Sequence, residues 1–303
     1  MGSSGRWVAH VRDGQGDGAM TIVGVHGIGK YRYFQEAGSA AGAAEAMRAK
    51  WNAYLHTGLN GAAPYDGRSY LAEIAYYAHH LRQGDAEPIR DLDRMSPEHS
   101  LLMADWLAQL DLPRLDGVRA AAGESLTGLL RRLAEWAVDR FGPQLKDFAK
   151  NFVPEVAAYL AAPDAPARVR SRDTVAEVIR RRRPAVLIAH SLGSVVAYEA
   201  LWAYPELRVE LLITLGSPLG MPHVVFDRLL PPPLNGRGRR PPGVARWVNI
   251  ADKDDIVAIP ARLSDRFAGV DADELVDIDW IDFHTVGGYL GSGALNRHLK
   301  PYL

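Results

Sequence analysis

One serine in this chain lies where a nucleophile would be expected. Residues 185–189 form a short apolar run typical of a buried strand, and residues 195–203 read as a helix. Between them the sequence Ala-His-Ser-Leu-Gly matches the strand–turn–helix of a nucleophile elbow, with Ala189 replacing the first glycine of G-x-S-x-G. Small residues two before and two after Ser191 let strand and helix approach closely, and amides at the helix start favour negative charge. We therefore expect Ser191 to attack an acyl carbon.

A glycine-rich turn follows the first apolar run, at residues 21–25. Acyl transfer needs two backbone N–H groups directed at the oxyanion. The amides of Leu192 and Ile28 are the predicted donors, and Gly27 allows the backbone to come close to the substrate. His26 is expected to orient this loop rather than to catalyse. Nucleotide binding is disfavoured, because the segment lacks both G-x-G-x-x-G and G-x-x-x-x-G-K-[ST].

Four short motifs together resemble the lipase-type branch of the α/β-hydrolase superfamily. They are His26-Gly27, His190-Ser191-Leu192-Gly193, Gly216-Ser217-Pro218 and Asp255-Ile256-Val257. The combination is also similar to bacterial His-Gly-Ile-Gly hydrolases related to GPI inositol-deacylase-like proteins. The resemblance covers residues 18–78 and 165–300 and implies a lipase- or esterase-like serine hydrolase.

The resemblance also implies an acid after a late strand. Residues 245–250 read as that strand, and an Asp-x-Val-x-x-Pro turn similar to the one that carries the acid of lipase-like enzymes begins at Asp255. Asp255 is therefore the predicted acid. Asp252 and Asp254 stay as alternatives, because surface turns are generally rich in aspartate.

The base should follow the acid, since this fold orders its triad as serine, acid and histidine. Three histidines come after Ser191, namely His223, His284 and His298. His284 follows the last predicted strand and precedes two glycines, so it is the predicted base. His298 lies in a predicted C-terminal helix, and His223 precedes the acid. His190 belongs to the strand before the serine and is expected to point away from it.

Six apolar runs bounded by turn residues predict buried strands. They are residues 21–25, 71–77, 185–189, 211–215, 245–250 and 275–281. Helical stretches around 36–55 and at 195–203 alternate with them. Such alternation predicts a mostly parallel central sheet with helices on both faces, in a single domain over 1–303. The resemblance implies that this is the α/β-hydrolase fold.

Residues 79–165 predict a helical insertion within that domain. Leu145, Phe148, Phe152, Val156 and Tyr159 form one apolar stripe, which fits either ordinary core packing or a cap that faces the substrate. Further along, Thr174 and Glu177 form a capping-box pattern, which predicts the start of the helix that leads into the serine strand.

Composition narrows the classes of function. Of 303 residues, 48% are apolar, and a net charge of −1 gives no field that would attract nucleic acid or an anionic membrane. The absence of cysteine excludes disulfides, zinc thiolate sites and a cysteine nucleophile. With no His-Glu-x-x-His, no signal-peptide pattern and no membrane-length apolar run, we expect no cofactor or metal, no transmembrane segment and a cytoplasmic location.

The expected function is cleavage of a carboxylic ester through a Ser191–His284–Asp255 triad and an acyl-enzyme intermediate. The substrate would be a small-molecule or lipid-like acyl compound, and the oligomeric state is open. An acyltransferase or a cyclising thioesterase would use the same triad. A catalytically silent binding module is the third reading. The basic, proline-rich residues 231–243 fit a surface loop or a flap that contacts an anionic substrate.

Overall fold

The computed structural model describes residues 20–60, 70–82, 95–110, 126–278 and 284–302. Its strands are β1 (Met20–Val25), β2 (Tyr70–Ala75), β3 (Val186–His190), β4 (Val209–Leu215), β5 (Gly238–Arg239), β6 (Val244–Asp252), β7 (Phe267–Ala268) and β8 (Ala272–Val276). Six of them form one sheet in the order β2-β1-β3-β4-β6-β8, and every pair in it is parallel. The short strands β5 and β7 pair separately.

Ten helices accompany these strands in the described part of the chain. They are α1 (Tyr31–Ala37), α2 (Ala40–Asn60), α3 (Ala78–Leu81), α4 (Pro97–Leu107), α5 (Leu126–Phe141), α6 (Gln144–Leu160), α7 (Pro166–Arg182), α8 (Leu192–Ala203), α9 (Val286–Gly291) and α10 (Asn296–Leu299). None of the described helices is both long and apolar enough to cross a membrane.

The helices cover both faces of the sheet because successive side chains of a strand point to opposite faces. In β3, Leu187 and Ala189 belong to a core cluster that contains residues of helices α4 to α8. Val186 and Ile188 belong to a second cluster, with residues of α2 and α9. All five residues of β3 are buried. This arrangement confirms the predicted α/β class with a parallel central sheet.

The last strand differs from its prediction. The sequence predicted residues 275–281, whereas β8 covers Ala272–Val276, and residues 279–283 lie outside the described part. β8 pairs on one side with β6 and forms the edge of the sheet. Its Leu275 is 46% exposed. An edge strand is only half covered, so it lacks the continuous apolar run that marks a buried parallel strand.

The predicted start of α7 is wrong. Thr174 and Glu177 lie inside the helix, which begins eight residues earlier at Pro166. Proline at the first helical position is favoured because the missing N–H needs no partner there. The Thr174 hydroxyl instead lies 3.0 Å from Nε2 of His80. The capping-box pattern was therefore a local coincidence.

The described parts of residues 79–165 are mainly helical, and α4, α5 and α6 pack against one another. Phe152, Val156 and Tyr159 of α6 are fully buried in the core cluster on this side of the sheet. Phe148 is only partly buried and reaches the cavity beside Ser191. The apolar stripe of α6 thus serves core packing at one end and the candidate site at the other.

Candidate active site

Ser191 lies between β3 and α8 in a conformation that residues with a Cβ atom rarely adopt. Its φ is 55° and its ψ is −134°, a region that costs on the order of 1–3 kcal/mol. The Ser191 amide donates to the carbonyl of Leu215 on the neighbouring β4, at 3.0 Å, which holds the turn. A Cβ atom at Gly193 would lie 2.3 Å from the carbonyl oxygen of His26, so only glycine fits there. The tight turn therefore presents Ser191 at the carboxyl edge of the sheet.

His284 lies between the serine and a carboxylate. Its Nε2 is 2.8 Å from Oγ of Ser191. Its Nδ1 is 2.8 Å and 2.9 Å from the two carboxylate oxygens of Asp255. A carboxylate can only accept, so Nδ1 carries the hydrogen and Nε2 is free to accept from the serine hydroxyl. This is the tautomer that a general base for Ser191 requires.

Asp255 follows β6 in a turn that saturates its carboxylate with donors. Oδ1 accepts from the amides of Val257 and Ala258, at 2.8 Å and 3.3 Å. Oδ2 accepts from the hydroxyl of Tyr289, at 2.6 Å. With the His284 contact, these bonds compensate a buried negative charge and fix its orientation.

The other candidate acids and bases lie elsewhere. The carboxylate of Asp252 accepts from the amides of Asp254 and Ile278. Asp254 is exposed. His298 bonds Glu274 through Nε2, at 2.5 Å, and His223 is an exposed residue beside Asp227. Of the predicted residues, the structure brings together Ser191, His284 and Asp255.

The predicted oxyanion residues surround Ser191. A Cβ atom at Gly27 would lie 2.6 Å from Cβ of Ser191, so the loop after β1 touches the serine. Ile28 lines the cavity beside it. The Leu192 amide belongs to the first residue of α8 and has no carbonyl one turn earlier to bond. In the described part of the chain, the Ile28 amide also makes no hydrogen bond.

His26 orients this loop, as the sequence led us to expect. Its Nδ1 bonds the carbonyl of Gly27 at 2.7 Å, and its Nε2 accepts from the amide of Tyr77 at 3.1 Å. The Tyr77 hydroxyl donates to the His26 carbonyl at 2.7 Å, and the two rings stack. Burial lowers the pKa of His26 to about 3. The imidazole is therefore neutral, and its hydrogen bonds connect the segments that follow β1 and β2.

Glu155 of α6 also holds the loop, and the sequence reasoning missed it. The Gly29 amide donates to its Oε2 at 2.9 Å. The other oxygen, Oε1, is buried without a partner in the described part of the chain. Burial raises the pKa of Glu155 to about 7. The sequence did contain a signal for its burial. Glu155 lies three residues after Phe152 and seven after Phe148, so it falls on the apolar stripe of the helix, where a charged residue is unexpected.

His190 does not lie apart from the site, contrary to the expectation that it points away from Ser191. It lines the same cavity, and its ring centroid is 4.9 Å from that of His284. Its Nε2 lies 3.1 Å from the carbonyl oxygen of His284, so Nε2 carries the hydrogen and donates. Burial lowers the pKa of His190 well below its usual range. This neutral ring positions the backbone of His284.

A cavity of about 490 Å³ opens beside Ser191, within the size range of small-molecule sites. Phe148 meets the ring of His284 edge-on at 5.4 Å. The lining residues in the described part of the chain are Ile28, Lys30, Tyr33, Met47, Lys50, Trp51, Tyr54, Phe148, His190, Ser191, His284, Thr285, Val286, Gly287 and Gly288.

The arginines of segment 231–243 have other partners. Arg237 donates to the carbonyl of Ser264, and Arg240 pairs with Asp271 at 2.6 Å. Residues 231–243 do not line the described cavity. The segment thus lies away from the described cavity and is held in part by the pairing of β5 with β7.

Comparison with known proteins gives no match from any family model, curated protein or solved structure. Within the described residues, no group of three or more histidine, aspartate or glutamate side chains could hold a metal ion. Any proposal about the reaction therefore rests on the geometry around Ser191.

Proposed function

We propose that this protein is a serine hydrolase of the α/β-hydrolase type that cleaves carboxylic esters. The observation that carries the proposal is the continuous chain of hydrogen bonds from Oγ of Ser191 through His284 to Asp255, with closest distances of 2.8 Å on each side of the imidazole. A strained serine between a strand and a helix, with a base and an orienting acid in register, supports nucleophilic catalysis.

In the first step, the Nε2 atom of His284 takes the proton of Ser191 as Oγ forms a bond to the carbonyl carbon of the ester. Asp255 holds the imidazole by its Nδ1–H and stabilises the imidazolium without taking the proton. The tetrahedral intermediate then collapses, the bond to the alcohol oxygen breaks, and His284 returns its proton to the departing alcohol. The acyl group is left on Ser191.

The negative oxygen of the intermediate is stabilised by the amides of Leu192 and Ile28, with Gly27 shaping the loop. Losing one such donor costs on the order of 3 kcal/mol of barrier. In the second half, a water molecule gives its proton to His284 and attacks the acyl carbon. The acid leaves and Ser191 regains its proton. An alcohol or amine in place of water would make the same site an acyltransferase or a cyclising thioesterase.

Labelling with a fluorophosphonate tests the proposal, since this reagent phosphonylates only activated serines. The wild type is expected to label, and Ser191→Ala is expected not to. Ser264→Ala is the matched control, because Ser264 is exposed and does not line the described cavity. Hydrolysis of a panel of chromogenic esters then measures turnover.

The acid and the base have their own variants. His284→Gln should lower the hydrolysis rate by roughly 10⁶-fold and Asp255→Asn by roughly 10⁴-fold, as in other triads. Asp252→Asn is the control for the acid, because Asp252 bonds backbone amides rather than His284. An unlabelled wild type would show that the chain is not a serine hydrolase, and labelling that persists in Ser191→Ala would show that Ser191 is not the nucleophile.

A further inference from the structure

The charge of the cavity beside Ser191 is one-sided. Two of its lining residues are cationic, Lys30 and Lys50, and none of the described lining residues is aspartate or glutamate. The protein as a whole carries a net charge of −1, so this bias is a property of the cavity. A concave site lined by one sign of charge concentrates ligands of the opposite sign.

Lys30 forms no ion pair with any carboxylate in the described part of the chain. The carboxylate that acts on it electrostatically is that of Glu155, whose pKa burial raises to about 7, so this group is only partly ionised near neutral pH. Burial lowers the pKa of Lys30. A partly buried ammonium whose nearest counterion is only partly ionised is costly, and an anion in the cavity would lower that cost.

Lys50 lies on the wall of the cavity formed by α2. Met47, Lys50, Trp51 and Tyr54 recur at spacings of three and four, and all four line the cavity. The Lys50 ammonium lies 4.9 Å from the ring centroid of Tyr33 and is exposed to solvent. The wall therefore combines apolar and aromatic surface with a cationic group.

We propose that the substrate carries an anionic group, a carboxylate or a phosphate, that binds to Lys30 and Lys50 while its apolar part lies against Tyr33, Tyr54 and Phe148. The substrate class, an anionic ester, rests on the proposed hydrolase function. The anion site itself rests only on the cavity and its two lysines. An apolar wall beside two cations suits an amphipathic anion better than a neutral lipid.

Direct binding tests the site without turnover. Calorimetry on Ser191→Ala would use hexyl phosphate, adipate and neutral 1,6-hexanediol as probes. Both anions should bind and the diol should bind more weakly. Adding Lys30→Met should weaken anion binding by roughly 10- to 150-fold, the range for a hydrogen bond to a charged group. Lys30→Arg should restore part of it, and Lys300→Met, at an exposed lysine away from the cavity, should not change it.

Turnover tests the substrate class. Mono-p-nitrophenyl adipate and its neutral methyl ester differ by one charge on the acyl side, whereas butyryl glycerol phosphate and monobutyrin differ on the alcohol side. The wild type should favour the charged member of at least one pair in kcat/KM, and Lys30→Met should lower that ratio. Equal kcat/KM values within both pairs, or anion affinity that Lys30→Met leaves unchanged, would overturn the proposal. Lysine-dependent anion binding by a chain that fluorophosphonate does not label would refute the hydrolase and leave the anion site standing.

Discussion

Glu155 makes the stability of the fold depend on pH in a direction that can be calculated. Its carboxyl group has a pKa of 4.5 in an unfolded chain and about 7 in the folded protein, because burial disfavours its ionised form. Between these values the folded state binds more protons than the unfolded state. Stability therefore falls as pH rises through this window, and the full cost of the buried charge is present above it.

The variant Glu155→Gln removes that cost while it keeps an oxygen for the Gly29 amide. The difference in pKa corresponds to about 3 kcal/mol. Near pH 4.5 the variant and the wild type should have similar unfolding free energies, since glutamine resembles protonated glutamate. As the pH rises to 7 and above, the variant should become the more stable protein by an amount approaching that value.

Urea unfolding followed by circular dichroism at a series of pH values measures this difference. The buried, neutral His26 and His190 change stability in acid in the opposite direction, but they do so equally in both proteins and cancel in the comparison. Glu135→Gln, at an exposed glutamate of α5, should follow the wild type. Parallel curves for Glu155→Gln and the wild type would refute the reasoning, because they would mean that Glu155 is not held in the buried environment of α6.

Two further substitutions test the site. Gly27→Ala would place a methyl group 2.6 Å from Cβ of Ser191, and it should lower ester hydrolysis and labelling by roughly 10²-fold or more; Gly291→Ala, which meets nothing within 4 Å, should be neutral, and equal activity of the two would contradict the close contact. Tyr289→Phe removes a hydroxyl that donates to Asp255, so urea unfolding should show a loss of about 2 kcal/mol, and an unchanged stability would mean that this bond contributes nothing.

The sequence could locate most of the sheet and the three central residues of the site because each carries a local signal. Buried parallel strands read as short apolar runs, and five of the six predicted runs overlap the strands almost fully. The serine motif and the chain order of acid and base then restrict the candidates. The parallel sheet brings the carboxyl ends of β1, β3 and β6 to one edge, which is where open α/β sheets bind ligands.

The supporting contacts could not be predicted, because they join positions far apart in the chain. Tyr289 meets Asp255 across 34 residues, and Glu155 meets Gly29 across 126. The position of Glu155 on an apolar helix stripe does not identify Gly29 as its partner. Likewise, the position of Tyr289 after two glycines does not identify Asp255. The prediction of where α7 starts was wrong for a related reason. Thr174 and Glu177 match a capping pattern that is judged only from neighbouring residues, whereas the helix begins at Pro166.

The contacts of α6 bear on whether the helical segment before α7 is separate from the chemistry. Phe148, near the start of this helix, packs edge-on against His284, and Glu155, two turns later, bonds the loop that carries Ile28. The same helix thus contacts both the proposed base and the proposed oxyanion loop. A shift of α6 along its axis would move both groups relative to Ser191, whereas a shift of a helix that only roofed the cavity would change access alone. Substitutions in α6 should therefore alter kcat as well as KM, which separates a structural part of the site from a simple cover.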